Sequence, residues 1–308
     1  MGHNVSSNRK TLRYTAVALA ILLMSAPSLF ATGQGESDQD VVHVYSHRHY
    51  DTDQELFRQF EELSGYEVQV VEAGADELIQ RLTAEGRNTP ADVLITVDAG
   101  RLHQASTQEL LQTVESPVLD SLVPQNLRGA DNEWYGLTIR SRIVAYHRDR
   151  ADRSILSTYE ALAGDTFNES IAIRSSSNIY NTSLLASLVE HLGRDGAREW
   201  AEGMTESFAR EPQGNDRDQL RAVASGAADY AVVNTYYIGR MLTSSDPADV
   251  EVAKQIGVFF PNQPGVEGSD GRGAHINVSG AGVTRHADNP DGARELIEFL
   301  VRDEAQAA

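Results

Sequence analysis

What most narrows the possible folds is the order of short β-rich runs and amphipathic stretches between Val41 and Thr96. Val41–Ser46 (VVHVYS) is dense in β-branched residues and reads as a buried strand. The stretch from Asp51 to Leu63 follows, with Leu56, Phe57, Phe60 and Leu63 at helical spacing and Thr52 or Asp53 placed to cap it. Residues 66–71, 75–85 and 91–96 then read as strand, helix and strand. This β-α-β-α-β order implies a parallel sheet covered by helices, because parallel neighbours need a crossover and the helix supplies it. Ligands of such sheets gather where strands end and helices begin. The segment Ser46-His47-Arg48-His49-Tyr50-Asp51 lies at such an end, and the helix after it aims its dipole there.

The middle of the chain repeats the alternation. Two strands are expected between Glu133 and Tyr146, a short one at Ile171-Ala172-Ile173, and another at Tyr230-Ala231-Val232-Val233. Helices are expected from Asn178 through His191, over residues 195–204 and 217–225, and from Asn234 to Leu242. A strand at 278–283 and a helix at 290–302 close the chain. The fold class expected is α/β with two lobes, each a mostly parallel sheet flanked by helices, joined by two crossovers near residues 136–140 and 260–264. Residues 41–137 plus 263–308 would form the first lobe and 138–262 the second.

Bulk properties exclude whole classes of function. The net charge of −19 argues against nucleic acid, whose phosphates demand a basic face. Without cysteine there are no disulfides, thiolate metal sites or cysteine nucleophiles, so any metal must be held by oxygen or imidazole nitrogen. Arg9, Lys10 and Arg13, the apolar run 16–24 and the small residues Ala31 and Gly33 form a signal-peptide pattern, with cleavage expected after Gly33. That run is short for a membrane span, although an uncleaved anchor is the alternative. Residues 34–40 read as a polar tether.

Tyrosines with free hydroxyl tips recur at strand-to-helix turns: Tyr50, Tyr180 and the pair Tyr236-Tyr237. Taken singly, each reads as a half-buried ring with its hydroxyl in water. Recurrence changes the reading. A hard trivalent cation prefers anionic oxygen, and phenolate supplies it once the metal displaces a proton whose pKa is about 10. Tyrosines converging on one point suit Fe³⁺ better than Zn²⁺ or Ca²⁺.

Three segments carry a family resemblance. The run 45–53, with His49-Tyr50 inside it, resembles the first motif of periplasmic ferric-iron-binding proteins; Asn178-Ile179-Tyr180-Asn181 resembles the second; Asn234-Thr235-Tyr236-Tyr237-Ile238-Gly239-Arg240 resembles the third. The resemblance runs from Val41 to the end. It implies a type II periplasmic-binding fold of the transferrin-like superfamily with Fe³⁺ in the cleft, Tyr50 contributed by one lobe and Tyr180, Tyr236 and Tyr237 by the other. His49 matches a position that ligates iron in some members and stands off in others. Arg140 and Arg240 match arginines near the metal, able to offset phenolate charge or hold an anion. Some members add a synergistic anion such as carbonate or phosphate. The resemblance further implies an inner-membrane ABC permease with its ATPase as partner, a periplasmic location and a monomer. Members usually continue past the last helix and pack a further helical segment on the first lobe, so a truncated C-terminal tail is expected here.

Other readings compete. His43, His47 and His49 could hold Zn²⁺ along a strand, although one functional histidine and two incidental ones is the plainer account. Ser175-Ser176-Ser177 could bind an anion or simply cap a helix. Asp51, Asp53 and Glu55 could be a carboxylate site of a metal-dependent hydrolase, but acids are favoured at a helix start whatever the function. No nucleophile elbow, phosphate loop or His-Glu-x-x-His helix appears, so an enzyme is not expected. A binder of another solute (a polyamine, thiamine or an oxyanion) would use ring faces, acids or arginines instead of converging hydroxyls.

Overall fold

The computed structural model describes residues 40–307, so the expected signal peptide and nearly all of the polar tether lie outside the described residues. The chain runs β1 (Val41–Ser46), α1 (Asp51–Ser64), β2 (Glu67–Glu72), α2 (Ala75–Glu85), β3 (Val93–Thr96), α3 (Ala99–Thr107) and α4 (Pro117–Leu122). It continues with β4 (Tyr135–His147), β5 (Ile171–Ala172), α5 (Ile179–Ser207), α6 (Asp216–Ser225), β6 (Tyr230–Asn234), α7 (Thr235–Leu242), α8 (Pro247–Lys254) and β7 (Ile256–Phe259). β8 (Ile276–Val283), α9 (Pro290–Leu300) and α10 (Asp303–Gln306) complete it.

The strands follow the order β2-β1-β3-β8-β4-β6-β5, with β7 also paired to β4. The βαβ units make parallel pairs at β1–β2, β1–β3 and β5–β6, while β8 and β7 return antiparallel, so the sheet is mixed. The two strands expected between Glu133 and Tyr146 are one continuous strand, with a register shift between Gly136 and Thr138. Its length has a topological role. β4 pairs with β8 through Arg140 and Ser141, then changes partner: Arg142 faces Asn234 of β6. The second passage lies at His275 and Ile276, because His275 still bonds to Arg142 and Tyr159 whereas Ile276 starts β8.

Each lobe has its own apolar core on both faces of its strands. In the first, Val42, Val44, Val93 and Ile95 pack with Leu56, Phe57 and Phe60 of α1 and Leu296 and Ile297 of α9, while Tyr45 and Leu94 point the other way to Leu78, Ile79 and Leu82 of α2. Burying a side chain of this kind contributes about 1.5–3 kcal/mol, so the stripe of α1 fixes that helix on the sheet. Leu63 departs from the expected stripe. It is 76% exposed, because the last turn of α1 overhangs an open groove beside α9. In the second lobe, Val144 and Tyr146 pack toward Leu184, Leu188 and Met204, and Ile143 and Ala145 toward Leu220, Val223 and Met241. β6 is buried along its whole length, which explains why Tyr230-Ala231-Val232-Val233 reads as an unbroken apolar run. The two helices expected through His191 and over 195–204 are both present: α5 is two helical segments set apart by a kink at Gly193 (φ 72°, ψ 172°).

Candidate metal-binding cleft

Three helix starts converge on the cleft between the lobes. β1 ends at Ser46 and α1 begins at Asp51, so Tyr50 occupies the N-cap position of α1; its side chain makes no capping bond, and neither Thr52 nor Asp53 serves as the cap. Asn178 caps α5, its side chain accepting from the Tyr180 amide at 3.1 Å. β6 ends at Asn234, and Tyr236 and Tyr237 occupy the first turn of α7. Each tyrosine therefore stands where helix dipoles favour a negative oxygen.

The tyrosines of the second lobe meet. The Tyr180 and Tyr236 hydroxyls are 3.3 Å apart, and the rings of Tyr236 and Tyr237 lie 4.2 Å centroid to centroid. Tyr50 and Tyr236 line one cavity of 360 Å³ together with Thr138, Ile139, Arg140, Arg240 and Ser279. The guanidinium of Arg240, on the second lobe, lies 5.6 Å from the centre of the Tyr50 ring, and Arg48 lies 5.5 Å from the same ring. His49 is exposed and its ring stacks near Tyr50 at 5.9 Å.

Electrostatics in the cleft set the proton inventory. Burial pushes the Tyr236 hydroxyl far above the usual phenol range, reinforced by Tyr180 and Tyr237 beside it. Burial also raises Tyr180, opposed by the hydrogen bond from Tyr236 and by Arg140. Arg140 is buried and reaches across from the first lobe: it donates to Ser279 Oγ at 3.1 Å and to the Val97 carbonyl, leaving its Nε without a partner, and its guanidinium lies 5.1 Å from the Tyr180 ring centre. With neutral phenols, such packed hydroxyls are only a weak hydrogen-bonded cluster. Deprotonated, they are hard anionic oxygens within reach of a single small cation.

The competing constellations disperse. His43 pairs with Asp92, His47 is half-buried with burial lowering its pKa, and His49 points out. Among the described residues no three His, Asp or Glu side chains gather as a metal site. Asp53 is committed to a two-point pair with Arg48 at 2.5 and 2.8 Å, and Glu55 pairs with Arg58 on the surface, so Asp51, Asp53 and Glu55 share no acid–base site. Ser175 and Ser177 hydrogen-bond to each other in the loop before α5, which Asn178 caps instead.

A buried ionic network beneath the tyrosines escaped the sequence reading. Arg142 and Asp216 pair at 3.0 Å with 1% and 0% side-chain exposure, and Arg174 approaches Asp216 at 3.5 Å. The available signal was an arginine beside the apolar run Ile143–Tyr146, a place a charge occupies only with a partner.

Comparison with known proteins points the same way. A family model for bacterial extracellular solute-binding proteins matches residues 55–308. Iron uptake protein A1 of Synechocystis is 48% identical over 88% of this chain and 73% of its own length. A Trichodesmium protein solved in complex with iron and citrate ligands superposes with a TM-score of 0.80 at 46% identity, over 87% of this chain and 83% of that one. The ferric binding protein from Campylobacter jejuni gives a TM-score of 0.80 at 43% identity, over 86% and 82%.

Proposed function

Because the chain belongs to the bacterial extracellular solute-binding proteins, we propose that it is the ferric-iron receptor of an ABC importer, holding one Fe³⁺ between two lobes and delivering it to a membrane permease. The fold is the two-lobed, type II periplasmic-binding architecture of its solved relatives. The observation that carries the reading is the 3.3 Å approach of the Tyr180 and Tyr236 hydroxyls in a cleft whose opposite wall is Tyr50.

Tyr180, Tyr236 and Tyr237 act as a half-site on the second lobe that captures iron, and closure brings Tyr50 onto it, with His49 beside it. Lobe movement about the two passages at Ser141/Arg142 and His275/Ile276 is the hinge mode common to periplasmic binders. These points lie later in the chain than the expected lobe boundaries at 137/138 and 262/263, and they are where the lobes divide in this reading. Four phenolates more than offset the charge of a trivalent ion, and Arg140 and Arg240 restore the balance or hold a synergistic anion such as carbonate or phosphate. The Trichodesmium relative, with iron and citrate bound, supports an oxygen-donor anion beside the metal.

The partner is a permease with its ATPase, and the receptor works as a monomer in the periplasm after removal of residues 1–33. Delivery involves no chemical turnover: it is binding followed by release. Metal analysis of the purified secreted chain tests the proposal. One iron per chain is expected. A chain that takes up no iron from Fe³⁺ while binding an organic amine would contradict it.

A further inference from the structure

Building on the iron reading, we infer that Arg142 is a positioning residue that ties both tyrosine arms of the second lobe to the hinge strand. One guanidinium reaches both arms. Its Nη2 donates to Asn181 Oδ1 at 2.6 Å, and Asn181 follows Tyr180. Its Nη1 donates to Asp216 Oδ2 at 3.0 Å and lies 3.4 Å from Asn234 Oδ1, and Asn234 is the residue on which α7, with Tyr236 and Tyr237, begins. The same Asp216 oxygen accepts from the Asn234 amide at 2.8 Å, closing the ring between strand, helix start and carboxylate. The guanidinium also lies 5.9 Å from the Tyr180 ring centre.

The backbone of Arg142 belongs to the hinge. It is the first residue of β4 to pair with β6, its N–H donates to the His275 carbonyl at 2.9 Å, and its own carbonyl accepts from the Tyr159 hydroxyl. Tyr159 in turn accepts from the His275 amide at 3.1 Å. Asn181 is held a second time, donating to the Arg174 carbonyl at 2.8 Å. A fully buried ion pair is a poor source of net stability compared with apolar packing, so its value here is geometric. It fixes where two helix starts, whose tyrosines Tyr180 and Tyr236 are 56 residues apart, present their phenols. A forked, planar cation makes these bonds from two separate nitrogens at once; a lysine carries its three donors on a single nitrogen and does not reproduce that span.

Two variants of the secreted chain test this, Arg142→Lys and Asn181→Ala, each titrated with Fe³⁺ against a competing chelator while the ferric–phenolate absorption band is followed. The band reports tyrosine geometry, which a loss of stability alone does not move. Arg142→Lys is expected to weaken iron binding roughly tenfold or more, the worth of a charged hydrogen bond, and to shift the band. Asn181→Ala, which touches only the Tyr180 arm, is expected to shift the band by less. If Arg142→Lys does not fold, Asn181→Ala decides alone. A wild-type band with variants matching it in position and affinity overturns the inference and leaves the iron reading standing. A wild-type chain with no such band overturns both.

Discussion

Tyr236 has the costliest proton in the cleft, because burial and two neighbouring phenols all favour its neutral form. Iron must therefore displace protons to bind, and each proton released makes affinity fall about tenfold per pH unit as pH drops. A chelator competition series below and above neutrality measures this, and a pH-independent affinity would contradict phenolate ligation. Replacing Tyr236 and Tyr237 together with Phe keeps the ring packing and removes both oxygens. The double variant is expected to keep its circular dichroism and lose iron binding. Tyr50→Phe is expected to weaken iron binding more than His49→Ala does, since Tyr50 lines the cleft and His49 is exposed. The approach of Tyr180 to Tyr236 was foreshadowed in the sequence by the recurrence of tyrosines at strand-to-helix turns, which no single tyrosine would have signalled. Arg142 and Asp216 were not, because their partnership spans 74 residues and no local pattern announces it.

At the scale of elements, the strand-to-helix turns matter most, and apolar runs with helical or alternating spacing located nearly all of them. What local pattern could not settle was continuity. β4 reads as two strands because polar residues interrupt it where it changes partner, whereas the two helices read on either side of Gly193 are two, set apart by a kink there. Gly193 adopts a conformation nearly exclusive to glycine, although the space around it is open. Gly193→Ala should therefore cost about 1–3 kcal/mol through the backbone alone, read as a lower denaturation midpoint. His275, at the second passage, accepts from or donates to Ser183 of α5 at 3.2 Å, and burial together with Arg142 lowers its pKa to about 4. The unfolded chain protonates this ring near its ordinary pKa of about 6.5 while the folded chain resists, so stability drops as pH falls from there toward 4. His275→Gln is expected to flatten thermal stability across that interval, and an unchanged slope would mean that other groups govern it.

At the scale of the molecule, two independently packed lobes share one long strand, β4, and are joined a second time at His275 and Ile276, an arrangement that allows rotation without breaking either core. Ligand that binds only the folded, closed form should stabilise the chain by about 2.7 kcal/mol at a free concentration one hundred times Kd. Solution scattering should show a smaller radius of gyration with iron than without. The central claim is that phenol oxygens from both lobes bind one ferric ion, and its most direct test is a titration of the iron-free secreted chain with Fe³⁺ followed by visible absorption. The expected result is a red-orange charge-transfer band that grows linearly and stops at one equivalent. A chain that stays colourless throughout the titration would contradict the account.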